Sequence, residues 1–125
     1  MHKPRPVVAV VDDDPRVLES LQDLLESAGY SVRSFSSARS LLESGLTKVD
    51  AIITDISMPG TGGFELRDTV KQARPELPVF LITGRHEIAD QDRARGVAGF
   101  FQKPFNAKIL LAALGDALRA SREGG

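Results

Sequence analysis

Four short apolar runs punctuate this chain, and each ends on a residue that carries chemistry. Val7–Val11 runs into Asp12, Asp13 and Asp14, and Ala51–Thr54 runs into Asp55. Val79–Ile82 runs into Thr83 and Gly84, and Gly99–Gln102 runs into Lys103. These runs hardly alternate, which is the pattern of strands buried on both faces. Tyr30 to Phe35 alternates more, with Val32 between polar neighbours, and so predicts an edge strand. Between the strands the apolar spacing becomes helical. Val17, Leu18, Leu21, Leu24, Leu25 and Ala28 form one stripe, with Asp14 as N-cap, Pro15 as first helical residue and Gly29 just past the end. Ser36 or Ser37 caps a short helix through Leu41 and Leu42. Phe64, Leu66, Val70 and Ala73 predict a third helix, ended by Pro75. A fourth, around Ile88 to Arg95, has few apolar anchors (Ile88, Ala89, Ala94) and should be loosely held. Asn106 caps the last helix, whose stripe is Ala107, Leu110, Leu111, Leu114, Ala117 and Leu118.

Strands alternating with helices predict an α/β fold of repeated βαβ units: right-handed crossovers, a parallel sheet, helices on both faces. No linker, repeat or low-complexity tract divides the chain. One domain over residues 1–125 is expected, its core at about 6–119, with a polar tail at 120–125.

Composition narrows the function. At 125 residues and 42% hydrophobic the chain can bury a core without covalent staples. It has no cysteine, which removes disulfides, thiolate metal sites and cysteine nucleophiles. A net charge of −1 with interspersed signs argues against direct nucleic-acid binding, which needs a basic face. The first apolar run is too short for a signal-peptide core or a membrane span, so a soluble cytoplasmic protein is expected.

In an open parallel sheet the carboxyl ends of the strands share one edge, and ligands bind there. Asp12, Asp13 and Asp55 would then meet in one crevice and repel one another unless a cation joined them. Magnesium suits such a site of few carboxylates, a carbonyl and water. Lys103 supplies a point charge able to hold a phosphoryl oxygen or the Asp55 carboxylate, and Thr83 a hydroxyl donor. Gly84 keeps the adjacent loop thin. A carboxylate can act as the nucleophile on phosphorus, and Asp55, alone at its strand end, is the best candidate. Taken singly, each of these residues has a plainer reading. An Asp at a strand end usually forms a turn or a cap, as Asp14 does here, and Lys-Pro usually marks a turn. The conjunction, in order and each after an apolar run, is what points to phosphate and metal chemistry.

Asp12-Asp13, Asp55-Ile56-Ser57-Met58-Pro59-Gly60 with Gly63 further on, Thr83-Gly84 and Lys103-Pro104-Phe105 resemble the motif set of response-regulator receiver domains of two-component signalling, those similar to chemotaxis regulators. The resemblance covers Val7 to the last helix. It implies a flavodoxin-like, doubly wound, five-stranded parallel sheet of order 2-1-3-4-5. It implies a signalling domain, an enzyme only toward its own phosphorylation and dephosphorylation. Asp55 would accept a phosphoryl group from a sensor histidine kinase or phosphotransfer protein. Mg2+ would be held by Asp12, Asp13, Asp55 and the main-chain carbonyl of Ser57, and Thr83 and Lys103 would contact the phosphoryl oxygens. Phe100 stands where the family has its switch aromatic, and a cis bond is implied at Lys103–Pro104. Ser57 and Arg85, two residues beyond Asp55 and Thr83, occupy positions that tune phosphate lifetime. The surface around the fourth helix, fifth strand and fifth helix would dock an output partner or a second copy. Ile109, Ala112 and Ala113, apolar but off the inward stripe of the last helix, hint at the same face.

The chain departs from the family at Thr61-Gly62, where a larger residue and then an acid or asparagine are usual. With Gly63 this suggests a flexible start to the third helix. A metal-dependent phosphatase with an Asp-x-Asp pair is a competing reading, but Asp14 is committed to capping and Asp55 would be unexplained. A nucleotide- or flavin-binding module needs a glycine- or hydroxyl-rich loop after the first strand, where three aspartates would repel phosphate. A degenerate receiver acting only as a scaffold is the third, though every phosphorylation residue is present. No output segment follows Leu118, so docking, relay and action within a longer regulator all stay open.

Overall fold

The apolar runs pair into one sheet. The computed structural model describes residues 5–56, 58, 60–84, 97–103 and 105–124, with side chains described up to residue 120. The strands are β1 (Val7–Val11), β2 (Ser31–Phe35), β3 (Ala51–Asp55), β4 (Val79–Thr83) and β5 (Gly99–Gln102). They form a five-stranded sheet in the order β2-β1-β3-β4-β5, every neighbour pair parallel. This is the doubly wound, flavodoxin-like arrangement. Its helices are α1 (Pro15–Ser27), α2 (Ala38–Ser44), α3 (Gly63–Ala73) and a C-terminal helix (Ala107–Gly124). The segment predicted as a fourth helix, Ile88 to Arg95, lies outside the described residues.

Period-two alternation along the buried strands feeds two cores, one on each face. On one face Ala9, Val11, Ile52 and Leu81 pack with Leu41 of α2 and Phe64, Leu66 and Val70 of α3. On the other, Val8, Val10, Ile53, Phe80 and Ile82 pack with Leu21 and Leu25 of α1 and Leu110 and Leu114 of the C-terminal helix. Each such leucine, fully buried, contributes about 1.5–3 kcal/mol. β3 and β4 are buried along their whole length. β2 exposes Ser31, Arg33 and Ser34, as the sequence pattern of an edge strand requires.

The helix ends follow local chemistry. Asp14 caps α1 by accepting a hydrogen bond from the Arg16 amide at 2.9 Å. Gly29, at φ 98°, closes the helix. There the Gly29 and Tyr30 amides return to the carbonyls of Glu26 and Leu25, both at 3.1 Å, so the αL residue satisfies two orphan acceptors. Ser37, rather than Ser36, caps α2. Asn106 accepts from the Ile109 amide at 3.2 Å. Three alanines depart from the predicted stripes: Ala28, Ala73 and Ala107 are exposed, each at a helix terminus where the inward face runs out. Ala113 departs the other way, being half-buried against the core, while Ile109 is 59% exposed. No described helix is long and apolar enough to cross a membrane.

Candidate functional site

Parallel pairing brings the carboxyl ends of β1, β3, β4 and β5 to one edge, and the polar residues come with them. Asp12 follows β1, Asp55 ends β3, Thr83 ends β4 and Lys103 follows β5. Asp12, Asp55 and Thr83 are buried, at 2%, 6% and 1% exposure, and Asp13 is exposed. Asp12, Asp13 and Asp55 each present a carboxylate oxygen such that all three lie within 4.8 Å of one another. The edge is knit by main-chain bonds: the Lys103 amide donates to the Thr83 carbonyl at 2.7 Å and the Ile56 amide to the Ile82 carbonyl at 3.0 Å.

Charge is unevenly matched here. Lys103 Nζ donates to Asp12 Oδ2 at 3.0 Å and stands 3.5 Å from Asp55 Oδ1. The sequence reading offered Asp55 as its carboxylate partner; the structure places the lysine nearer Asp12, the more deeply buried acid. Asp12 Oδ1 also accepts the Asp14 amide at 2.9 Å, which ties the carboxylate to the start of α1. Burial pushes the Asp55 carboxyl above its ordinary range, with the negative charge of Asp12 adding to the effect and Lys103 only partly opposing it. For Lys103, burial favours the neutral amine, but the hydrogen bond to Asp12 and the charges of Asp55 and Asp12 outweigh it, so its pKa rises. An excess of buried negative charge with oxygen donors is an environment that a hard divalent cation would relieve.

The glycine pair has a more definite role than a flexible helix start. Gly63 opens α3 directly against the end of β3: a Cβ there would stand 2.5 Å from the Asp55 carbonyl oxygen and 2.9 Å from Ile56 Cα. At Gly62 it would stand 2.9 Å from the Ile56 carbonyl oxygen. Only hydrogen side chains permit this approach. Glu65 caps the helix by accepting the Gly62 amide at 3.0 Å.

Asp12, Asp13, Asp55 and Lys103 thus come together, with Thr83 at the same edge. Phe100 sits opposite Leu81 in the β4–β5 register, two residues before Thr83 and on the same face of the sheet. It is half-buried against the α2–α3 core. Ser57, Arg85 and Pro104 lie outside the described residues. One buried polar group escaped the sequence reading: Thr54, whose hydroxyl donates to the Asp55 carbonyl at 3.0 Å. A hydroxyl inside an otherwise apolar strand beside the candidate nucleophile was the available signal.

A five-stranded parallel sheet of this order, with an acidic cluster and a lysine at its carboxyl edge, is a doubly wound α/β module with a charged site where its strands end. The response regulator receiver domain family matches residues 8–115. The chain belongs to that family, the receiver modules of two-component systems. It is 36% identical over 121 residues to the transcriptional regulatory protein FixJ of Azorhizobium caulinodans, covering 94% of this chain and 57% of FixJ. The chain spans about half the length of the curated relatives it matches. Among solved structures it resembles a CheY-like receiver domain protein from Methanospirillum hungatei, with TM-score 0.90, 25% identity, and coverage of 97% and 99% of the two chains. It is also similar to the BeF3-activated DrrB receiver domain, with TM-score 0.86, 27% identity, and coverage of 92% and 98%.

Proposed function

We propose that this chain is a phosphoacceptor receiver, taking a phosphoryl group onto Asp55 and switching the surface beyond β4 and β5. The observation that carries the reading is Asp55 itself, buried at the end of β3 within 4.8 Å of two further carboxylates and 3.5 Å from a lysine ammonium. Asp12, Asp13 and Asp55, hard oxygen donors in mutual reach, fit Mg2+, with the Ser57 carbonyl as a further ligand. When bound, the ion would neutralise the clustered charge and shield the incoming phosphoryl oxygens.

In the reaction an Asp55 carboxylate oxygen attacks phosphorus. The new bond is the acyl phosphate P–O; the bond broken joins phosphorus to the donor, a phosphohistidine nitrogen on a sensor histidine kinase or phosphotransfer protein. Lys103, already between Asp12 and Asp55, is positioned to take a phosphoryl oxygen as its partner. Thr83, at the adjacent strand end, supplies a hydroxyl to the same group. Phosphorylation adds roughly two negative charges and three acceptor oxygens. Thr83 drawn toward that acceptor would vacate space on the face it shares with Phe100, which turns inward. Ser57 and Arg85 would set how long the phosphate lasts.

The signal leaves through the segment predicted from sequence as a fourth helix, β5 and the C-terminal helix, the last of which exposes Ile109, to an output partner or second copy. The chain works as one receiver unit in the cytoplasm and does not itself bind nucleic acid. Amide NMR with beryllofluoride and Mg2+, an acyl-phosphate mimic, tests this. Shifts at Thr83 and at Phe100–Lys103 are expected in the wild type and none in Asp55→Asn. Identical spectra of the wild type with and without the mimic would contradict the switch.

A further inference from the structure

The carboxylate of Asp55 hangs from a peptide that is fastened on several sides. The Thr54 hydroxyl donates to the Asp55 carbonyl at 3.0 Å. The next amide, of Ile56, donates to Ile82 on β4 at 3.0 Å, and the Ile56 carbonyl accepts the Gly63 amide from the first turn of α3, also at 3.0 Å. Gly63 lies so close that a Cβ would meet the Asp55 carbonyl oxygen at 2.5 Å. Thr54 is fully buried, and alternation places it with Ile52 on the face that α3 covers. The hydroxyl and the glycine therefore act on one peptide from neighbouring positions. Neither reaches the carboxylate, Lys103 or the acidic cluster by any bond described.

We infer that Thr54 and Gly63 are positioning residues for Asp55: they fix the Asp55–Ile56 peptide between β3, β4 and α3, and so aim the carboxylate at phosphorus. An apolar residue at 54 would serve the core equally well, and alanine at 63 would suit a helix better than glycine. What those replacements lose is the hydroxyl on the Asp55 carbonyl and the close approach of α3. In-line attack by a carboxylate tolerates little angular error, and a displacement of about 1 Å costs up to about a hundredfold in rate.

The inference rests on Asp55 being the phosphoacceptor, and the test separates the two. Maximal phosphorylation rate with acetyl phosphate at saturating Mg2+, Mg2+ affinity by calorimetry and melting temperature are measured on wild type, Thr54→Val, Thr54→Ser, Gly63→Ala and Gly99→Ala. Gly99→Ala is the stability control, because its Cβ would crowd the Phe80 and Phe101 rings at 2.8 Å rather than Asp55. The expected result is a rate lowered about tenfold or more in Thr54→Val and Gly63→Ala with Mg2+ kept saturating for each variant by its own measured affinity, and recovery in Thr54→Ser. Gly99→Ala should melt lower yet phosphorylate at close to the wild-type rate. Thr54→Val at the wild-type rate, or Gly99→Ala slowed as much as Gly63→Ala, overturns the positioning role. A wild type that takes no phosphoryl group overturns the underlying reading instead. Should Gly63→Ala not fold, the Val and Ser variants at 54 decide alone.

Discussion

Lys103 Nζ donates to Asp12 Oδ2 at 3.0 Å, joining the end of β5 to the end of β1 across 91 residues of sequence. β3 and β4 lie between those two strands in the sheet, and the same ammonium reaches Asp55, at the end of β3, at 3.5 Å. Among the described residues this lysine is the cation that meets both buried acids.

Replacing Lys103 with Met leaves both carboxylates without their cation. Lys103 is 27% exposed, so solvent screening reduces the loss; about 1–2 kcal/mol is expected at neutral pH. Its pKa in the fold is raised above 10.5, so its contribution is complete below that value and is lost as pH rises through the folded pKa. Melting curves of wild type and Lys103→Met should differ by several degrees at pH 7 and converge at strongly alkaline pH. Coincident curves at neutral pH would show that the pair contributes nothing.

Asp55→Asn should melt higher than the wild type at neutral pH in EDTA, by a few degrees. The sign follows from burial. The folded pKa of Asp55 lies above 3.8, so its ionisation penalises the fold. The penalty is absent below 3.8 and complete once pH has risen past the folded value. The gap between the two proteins should therefore open with rising pH over that window. A variant less stable than the wild type at pH 7 would mean that the bond to Lys103 outweighs burial.

Asp13 is exposed, so Asp13→Asn should leave the metal-free melting temperature nearly unchanged. Removing one ligand charge should weaken Mg2+ about tenfold or more. On this account Mg2+ should raise wild-type stability by RT ln(1 + [L]/Kd), and the variant should need a correspondingly higher concentration for the same rise. Equal Mg2+ titrations of the two proteins would remove Asp13 from the metal site.

At the opposite edge of the sheet, Arg74 donates to the carbonyls of Leu46 at 2.5 Å and Val49 at 2.8 Å, strapping the α2–β3 loop to the end of α3. Arg74→Ala should cost about 1–3 kcal/mol without slowing phosphorylation, since the strap is far from Asp55 along β3. Amide exchange should rise at residues 46–50. Unchanged protection there would show that the loop holds by its apolar contacts alone.

Much of this was legible in the residues because it depends on pattern. Apolar runs marked β1, β3, β4 and β5, the alternation at Val32 marked an edge, and Asp14, Ser37 and Asn106 act as caps through purely local bonds. The site assembled because parallel pairing carries strand ends to one side whatever the packing details. Features set by ångström-scale packing were less visible. Whether Lys103 lies nearer Asp12 or Asp55, and how tightly Gly63 seats on the Asp55 carbonyl, depends on how β5 and α3 settle on the sheet. The Arg74 strap joins loops far apart in sequence, and no spacing rule encodes it.

The measurement that bears most directly on the account is intact mass after incubation with acetyl phosphate, with and without Mg2+, for wild type and Asp55→Asn. The account predicts a Mg2+-dependent gain of a single phosphoryl group in the wild type and none in the variant. A gain that persists in Asp55→Asn, or a wild type that stays unmodified in Mg2+ with both acetyl phosphate and a phosphorylated histidine kinase, would contradict it.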